Sequence, residues 1–140
     1  MSKIIYFGRR VPSITVMVTD DDTKKSRMLN PSRSRRVYDH STEFNWSYGG
    51  SGPSQLSLAL LIDAIESSPP EQRPGTEDAD TLAQRWYQQF KLDHVSQWTD
   101  DSFRIERDEI MGWLRTTVAQ ARTKREQYSH DLKFPEPGKP

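Results

Sequence analysis

The fold of this chain is decided by residues 44–56, which read Phe44-Asn45-Trp46-Ser47-Tyr48-Gly49-Gly50-Ser51-Gly52-Pro53-Ser54-Gln55-Leu56. The run Gly-Gly-Ser-Gly permits backbone angles that other residues avoid, so it predicts a tight turn. Pro53 suits the first position of a helix, where its missing N–H is no loss. We therefore expect a helix to begin here, with Ser51 or Gly52 near its N-cap.

Apolar and aromatic residues flank this turn on both sides. The run from Leu56 to Ile65 is the most apolar segment of the chain, and a helix that is apolar on most faces is usually buried. The sequence Ser67-Ser68-Pro69-Pro70 should end it, because a Pro pair cannot continue a helix. Before the turn, aromatic residues alternate and predict a short extended segment with one aromatic face: Phe44, Trp46 and Tyr48.

The turn is also a candidate binding site for an anion or a partner, formed by Gly49, Gly50, Ser51 and Gly52. Free N–H groups at a helix N-terminus attract anions. The phosphate-loop pattern, however, needs Gly-Lys-Ser/Thr, which is missing, and Gln55 stands where the dinucleotide fingerprint has its third Gly. The turn is either structural or an anion cradle, and in an enzyme His40 or Glu43 would be the nearby base.

Residues 44–61 resemble the signature of a small bacterial and phage family of unknown function, which reads roughly F-x-W-G-Y-G-G-S-G-P-A-Q-L-A-L-A-L-L. The resemblance spans most of residues 4–115, although only the central run is specific. Its other matches are Tyr6-x-Gly8-x-Arg10, Phe90-Lys91, Trp98 and Ile110-x-x-Trp113-Leu114. No functional residues transfer from it; what it implies is an origin in phages or mobile elements.

This chain departs from the family pattern at three positions. Ser47 replaces a residue that is usually Gly, and Ser54 and Ser57 replace Ala. Compared with the family pattern, these changes make the turn less permissive and the helix less apolar.

Length and composition predict one small domain, residues 1–128, followed by a disordered C-terminal tail, residues 129–140. The chain has 140 residues, only 33% of them hydrophobic, and its Pro residues cluster at residues 69–74 and 135–140. There is no Cys, no signal peptide and no apolar run long enough to cross a membrane, so we expect a cytoplasmic protein. We expect no cofactor.

Charge is unevenly spread although the formal net charge is zero. Residues 1–60 carry nine basic and five acidic side chains, residues 61–110 carry five and twelve, and residues 111–140 carry six and three. This pattern allows separate basic and acidic surfaces. The acidic middle segment argues against general coating of nucleic acid, which favours a basic domain.

The order of patterns predicts an α+β fold in which a small antiparallel sheet packs against about three helices. Residues 3–8 and 13–19 are rich in Ile, Val, Tyr and Phe, and residues 26–29 would pair back as a third strand. We expect three or four strands, all from residues 3–48. Residues 103–105 predict a short extended piece.

Two further helices are expected after the central one. Thr76 or Asp78 would cap the first, and a last helix would begin near Asp108. Apolar residues at helical spacing mark the buried faces: Ala79, Leu82, Trp86 and Phe90 in the first, and Ile110, Trp113, Leu114, Val118 and Ala121 in the second.

Residues 30–36, Asn-Pro-Ser-Arg-Ser-Arg-Arg, predict an Arg-rich loop. Arginine forks grip phosphates, so Arg33, Arg35 and Arg36, joined by Arg9 and Arg10 at a sheet edge, would form a nucleic-acid contact. Alternatively, residues 30–36 form a solvated loop with no binding role. The three His residues are far apart in sequence, and we expect no metal site.

Three functions remain open. The first is a non-enzymatic interaction or regulatory protein of a phage or mobile element. Inhibition of a host protein is one way in which it would act. The second is a nucleic-acid-binding protein that uses the Arg-rich loop. The third is an enzyme built on the Gly turn; because no catalytic set is recognisable, we lean away from it.

Overall fold

The sheet has four antiparallel strands in the order β3-β2-β1-β4. The structure, a computed structural model, describes residues 3–133. Strands β1 (Ile4–Arg9) and β2 (Thr15–Asp20) form the predicted hairpin, and β3 (Ser26–Met28) pairs back on β2. The α+β class is confirmed.

The fourth strand does not come from residues 3–48, and that part of the prediction was wrong. Strand β4 (Ser102–Glu106) follows the second long helix and pairs with β1, so that Phe103 lies opposite Gly8. Residues 44–48 form no strand. Ser47 has a left-handed backbone (φ +83°) and donates its N–H to Val95 O, which turns the chain out of an extended path.

Four α-helices lie within residues 3–133: α1 (Pro31–Arg35), α2 (Ser51–Ser67), α3 (Ala79–Asp93) and α4 (Arg107–Lys133). Short 3₁₀ turns follow α2 and α3. The three long helices were predicted. The short α1 replaces the predicted Arg-rich loop, because Asn30 caps it through Ser32 N at 2.8 Å and Pro31 fits the first turn.

Helix α2 is the centre of the molecule, as its composition predicted. It is buried from Gly52 to Ile65 except at Asp63, and it packs against α1, α3 and α4. Pro69 and Pro70 follow its C-cap, Ser68. Its N-cap is Gly50 rather than Ser51 or Gly52, because Ser54 N already donates to Gly50 O.

A polar contact fixes α2 against the inner face of the sheet. Tyr6, which is fully buried, donates to Asp63 Oδ2 at 2.7 Å, and Arg27 donates to Asp63 Oδ1 at 2.6 Å. Burial, with the Asp63 charge added, raises the pKa of Tyr6 well above its usual value. The hydroxyl therefore stays protonated and remains the donor of this bond.

Helices α3 and α4 complete the core. Asp78 caps α3 by accepting from Thr81 N at 2.8 Å; Ala79, Leu82 and Phe90 are buried as predicted, while Trp86 is only half-buried. Helix α4 buries Ile110 and Leu114. It continues to Lys133, past the predicted boundary at residue 128, and residues 134–140 of the predicted tail lie outside the described residues.

Candidate functional site

The Gly turn is filled by side chains of the protein itself. The Tyr48 ring covers Gly50, where a Cβ would lie 2.5 Å from a ring carbon. A Cβ on Gly52 would lie 2.8 Å from Asn45 Cβ. Gly52 is therefore explained by close packing, Gly50 meets only the half-exposed ring of Tyr48, and Gly49 and Ser51 are exposed.

Lys91 of α3 ties the same turn to the rest of the fold. Its Nζ donates to Gly49 O and to Ser54 Oγ, each at 3.1 Å. The ammonium group thus forms hydrogen bonds with a carbonyl and a hydroxyl at the start of α2. These contacts give the turn a structural part, whether or not its exposed residues also meet a partner.

Gln55, which entered the sequence argument only as a missing Gly, is the best-connected polar residue of the motif. It is fully buried, and its Oε1 accepts from His40 N at 2.7 Å and Ser41 N at 3.0 Å. Its Nε2 donates to Ser34 Oγ at 2.8 Å and Tyr38 O at 3.2 Å. One amide therefore holds α1 and the following loop onto α2 with all four of its bonds made.

Arg10 has a structural role that the sequence did not indicate: it packs on Trp46 and forms hydrogen bonds within the protein. Its guanidinium lies 4.5 Å from the centroid of the buried Trp46 ring. All five of its N–H groups find acceptors within the protein. The acceptors are Asn45 Oδ1, Asp100 O, Asp101 Oδ1, Trp46 O and Ser47 Oγ, at 2.6–3.2 Å.

Trp46 is also the centre of an aromatic cluster beneath the sheet. Its Nε1 donates to Asp100 O at 2.8 Å, and its ring meets Phe103 edge-on at 4.9 Å. Phe103 stacks on Trp98 at 4.4 Å and crosses Gly8, where a Cβ would lie only 2.0 Å from the Phe103 ring. Trp46 of the motif, Phe103 of β4 and Gly8 of β1 thus pack together in this part of the core.

Two arginines of helix α1 are paired with carboxylates, and one of them, Arg33, is paired with the acidic middle segment. Arg33 donates to Asp80 at 2.5 Å and lies 3.5 Å from Glu66, while Arg35 makes two bonds to Asp39 at 2.8 and 3.0 Å. The hydrogen bond that Arg33 donates to Asp80 raises the pKa of Arg33. The charge segregation of the sequence is therefore cancelled here by pairing in space.

The five arginines predicted to act together are divided among three places. Arg10 lies over Trp46, Arg33 and Arg35 are paired on α1, and Arg9 points to the opposite side of the sheet from Arg10. Arg36 is exposed. Within the part of the chain that the structure describes, Arg9 and Arg36 make no ion pair or side-chain hydrogen bond.

His40 and its neighbours make separate contacts and form no hydrolytic triad. His40 Nε2 lies 2.6 Å from Tyr87 Oη, and its ring stacks on Tyr38 at 4.4 Å. Asp39 binds Arg35, and Ser41 Oγ accepts from Glu43 N. Burial lowers the pKa of His40. Among the described residues, no group of three or more His, Asp and Glu is arranged to hold a metal ion.

The outer face of the sheet is the surface that sequence reasoning missed. By register, Phe7 lies between Met17 of β2 and Arg104 of β4, and Met28 of β3 lies beside Met17. Phe7 is 38% exposed and Met28 is 61% exposed. A sequence signal existed: Ile4 to Phe7 are apolar without alternation, which is unusual for a strand with one wet face.

A shallow groove of about 700 Å³ runs across this outer face. The helices and the core cluster lie on the side of Tyr6, Val16 and Val18, so the two sides of the sheet differ sharply. The groove crosses all four strands, and its lining is mainly apolar at the centre with hydroxyls and arginines around it: Phe7, Gly8, Arg9, Thr15, Met17, Thr19, Ser26, Ser102, Phe103 and Arg104.

Residues 6–74, just under half of the chain, match a family of unknown function, DUF6166. The matched range contains the signature run and the opening Tyr6-x-Gly8-x-Arg10, and it agrees with the resemblance to a family of unknown function. No curated protein and no solved structure matches the chain significantly. None of the helices within residues 3–133 is both long and apolar enough to span a bilayer.

Proposed function

We propose that this chain is a non-enzymatic interaction protein of a phage or mobile element that acts in the cytoplasm by binding, and thereby regulating or inhibiting, a host protein. The observation that carries the proposal is the uncovered outer face of the sheet, with Phe7, Met17 and Met28 at the surface. Contiguous apolar surface with a polar rim is typical of a protein-binding site.

The fate of the chemically active residues supports a binding role. The side chains of Gln55, Arg10 and Lys91 form hydrogen bonds within the protein, and His40 contacts Tyr87. Binding by surface complementarity needs none of them. Met side chains suit such a surface because they are flexible and polarizable.

Nucleic-acid binding is the second candidate. Arg9 and Arg36 favour it, because neither is paired within the described residues. The pairing of Arg33 and Arg35 with acidic side chains counts against it, since those guanidinium groups would have to exchange a carboxylate for a phosphate.

The test is affinity capture from host lysate, with and without nuclease, using wild-type protein and two surface variants. Phe7→Ser alters the outer face, and Leu92→Ser is the matched control because Leu92 is a large exposed apolar residue on α3. We expect one protein partner that survives nuclease, is lost with Phe7→Ser and is kept with Leu92→Ser. Recovery that disappears with nuclease would transfer the function to nucleic-acid binding, and equal recovery by both variants would refute the outer face as the site.

A further inference from the structure

The charged residues that line the outer groove are both cationic, and Glu106, just beyond the lining, is shared between Arg104 and Lys3. Of the residues that line it, Arg9 and Arg104 are cationic, and none is acidic. The remaining polar side chains are hydroxyls: Thr15, Thr19, Ser26 and Ser102. An apolar centre with two cations at its border fits an anionic partner better than a neutral or basic one.

Both arginines are only weakly engaged by the protein. Arg9 makes no ion pair or side-chain hydrogen bond within residues 3–133. Arg104 lies 5.8 Å from the centroid of the Phe7 ring and 3.4 Å from Glu106 Oε2, and Glu106 is shared with Lys3 at 3.4 Å. Arg10 on the inner side differs, because its five donors are all used.

The register places the two arginines near one another on the outer face of the sheet. Arg104 lies opposite Phe7 and Arg9 lies opposite Ser102, so the arginines occupy diagonal positions of neighbouring strands. Diagonal Cβ atoms are about 7–8 Å apart, and like charges at such a distance repel. A carboxylate placed between them would relieve that repulsion and accept from both forks.

A protein segment fits the groove better than a nucleic acid. A single-strand platform stacks successive bases on several rings, whereas this face offers one exposed aromatic ring, Phe7. The two arginines would neutralise only about two phosphates, which gives weak electrostatic binding. The Met17 and Met28 thioethers are instead suited to apolar side chains of varied shape.

We infer that the outer face binds an acidic segment of a protein partner, with an apolar side chain against Phe7 and Met17 and flanking carboxylates on Arg9 and Arg104. The inference rests on the proposed function and adds the chemistry of the partner. It depends on the uncovered strand face and not on the Gly turn.

The test is selection of displayed random short peptides against four forms of the full chain: wild type, Arg9→Glu/Arg104→Glu, Arg9→Gln/Arg104→Gln, and the control Arg36→Glu. Arg36 is exposed and lies away from the outer face, at the C-cap of α1. Circular dichroism verifies folding. We expect wild type and Arg36→Glu to enrich peptides with Asp or Glu beside an aromatic or aliphatic residue.

Synthetic copies of the enriched peptides then give dissociation constants. We expect about a tenfold or larger loss of affinity in the Gln pair, a greater loss in the Glu pair, and weaker binding to wild type as salt rises. Enrichment of uncharged peptides that bind all four forms alike would overturn the acidic partner while leaving the proposed function intact. Failure to enrich any peptide would also overturn it. Capture of the partner by the Phe7→Ser variant would refute the outer face as the site, and the proposed function fails separately if no protein partner survives nuclease in the capture experiment.

Discussion

The two faces of the sheet carry similar residue types but differ in what those residues do. On the inner face, Phe103 packs over Gly8 and against Trp46, and the Arg10 guanidinium has every donor occupied. On the outer face, Phe7 is partly exposed beside Arg104 and Arg9. The same pair of types, an aromatic ring and an arginine, stabilises the fold on one side and remains available on the other. The distinctive motif of residues 44–56 therefore packs on the inner face, which stabilises the fold. The candidate binding face is formed by strand residues that belong to no recognisable motif.

The sharpest way to break this comparison is to remove one aromatic ring from each face. Trp46→Ala should lower the free energy of unfolding by about 4 kcal/mol, because it empties a fully buried site and removes the ring under Arg10. Phe7→Ala should cost about 1 kcal/mol, since its ring is already partly in water. Urea unfolding monitored by circular dichroism measures both. Equal losses would contradict the division between the faces.

The buried amide of Gln55 gives the next largest effect. Gln55→Leu keeps the volume but leaves His40 N, Ser41 N and Tyr38 O without their partner, which should cost roughly 3 kcal/mol. Gln84→Leu, on the exposed side of α3, should change stability by less than about 0.5 kcal/mol. Thermal unfolding of the two variants compares them. A Gln55→Leu protein as stable as wild type would show that water or a shifted loop replaces the amide.

Ser47 tests the backbone of the motif itself. Its φ of +83° is strained for a residue with a Cβ, and its Oγ accepts from Arg10 at 2.9 Å. Ser47→Ala should lose the hydrogen bond and keep the strain, whereas Ser47→Gly loses the bond and relieves the strain. We expect the Gly variant to be about 1 kcal/mol more stable than the Ala variant. The opposite order in urea unfolding would mean that the left-handed angle is not required.

The smallest expected effect is a pH dependence of stability, which comes from two partly buried histidines, His40 and His94. Burial lowers the pKa of His40 and of His94 below the usual 6.5. Between the folded and the unfolded pKa, the unfolded chain binds more protons, so stability should fall as pH drops below about 6.5 and be full above it. The pKa of Asp39 and Asp78 is also lowered, but those carboxylates act only near and below about pH 4.

The measurement is the free energy of unfolding from pH 8 to pH 5 for wild type and for a His40→Gln/His94→Gln variant. The variant should show a flatter dependence over this range, whatever its absolute stability. A slope that is unchanged in the variant would assign the effect to other groups.

Sequence reasoning captured the elements whose signals are local. The burial of α2, its end before Pro69 and the Asp78 cap all follow from neighbouring residues. The position of β4 next to β1 could not be predicted, because a strand pairing across the helices leaves no local pattern. The roles of Arg10 and Gln55 were missed for the same reason, since their partners lie up to about ninety residues away in sequence.

The outer face of the sheet was not among the predicted sites for a different reason. The residues of the Gly turn and α1 were selected for their chemical types, but the fold satisfies most of those types internally. Phe7 and Met17 were taken as ordinary strand residues. Only the sheet order and the one-sided packing of the helices reveal that their side of the strands is uncovered.

The most direct test of the central claim is methionine oxidation by peroxide in the free protein and in the complex isolated by capture, read by mass spectrometry. In the free protein, Met28 should oxidise quickly and the buried Met111 slowly. The account predicts that the complex protects Met17 and Met28 while Met111 stays unchanged. Oxidation of Met17 and Met28 at the same rate in the complex as in the free protein would contradict the outer face as the binding surface.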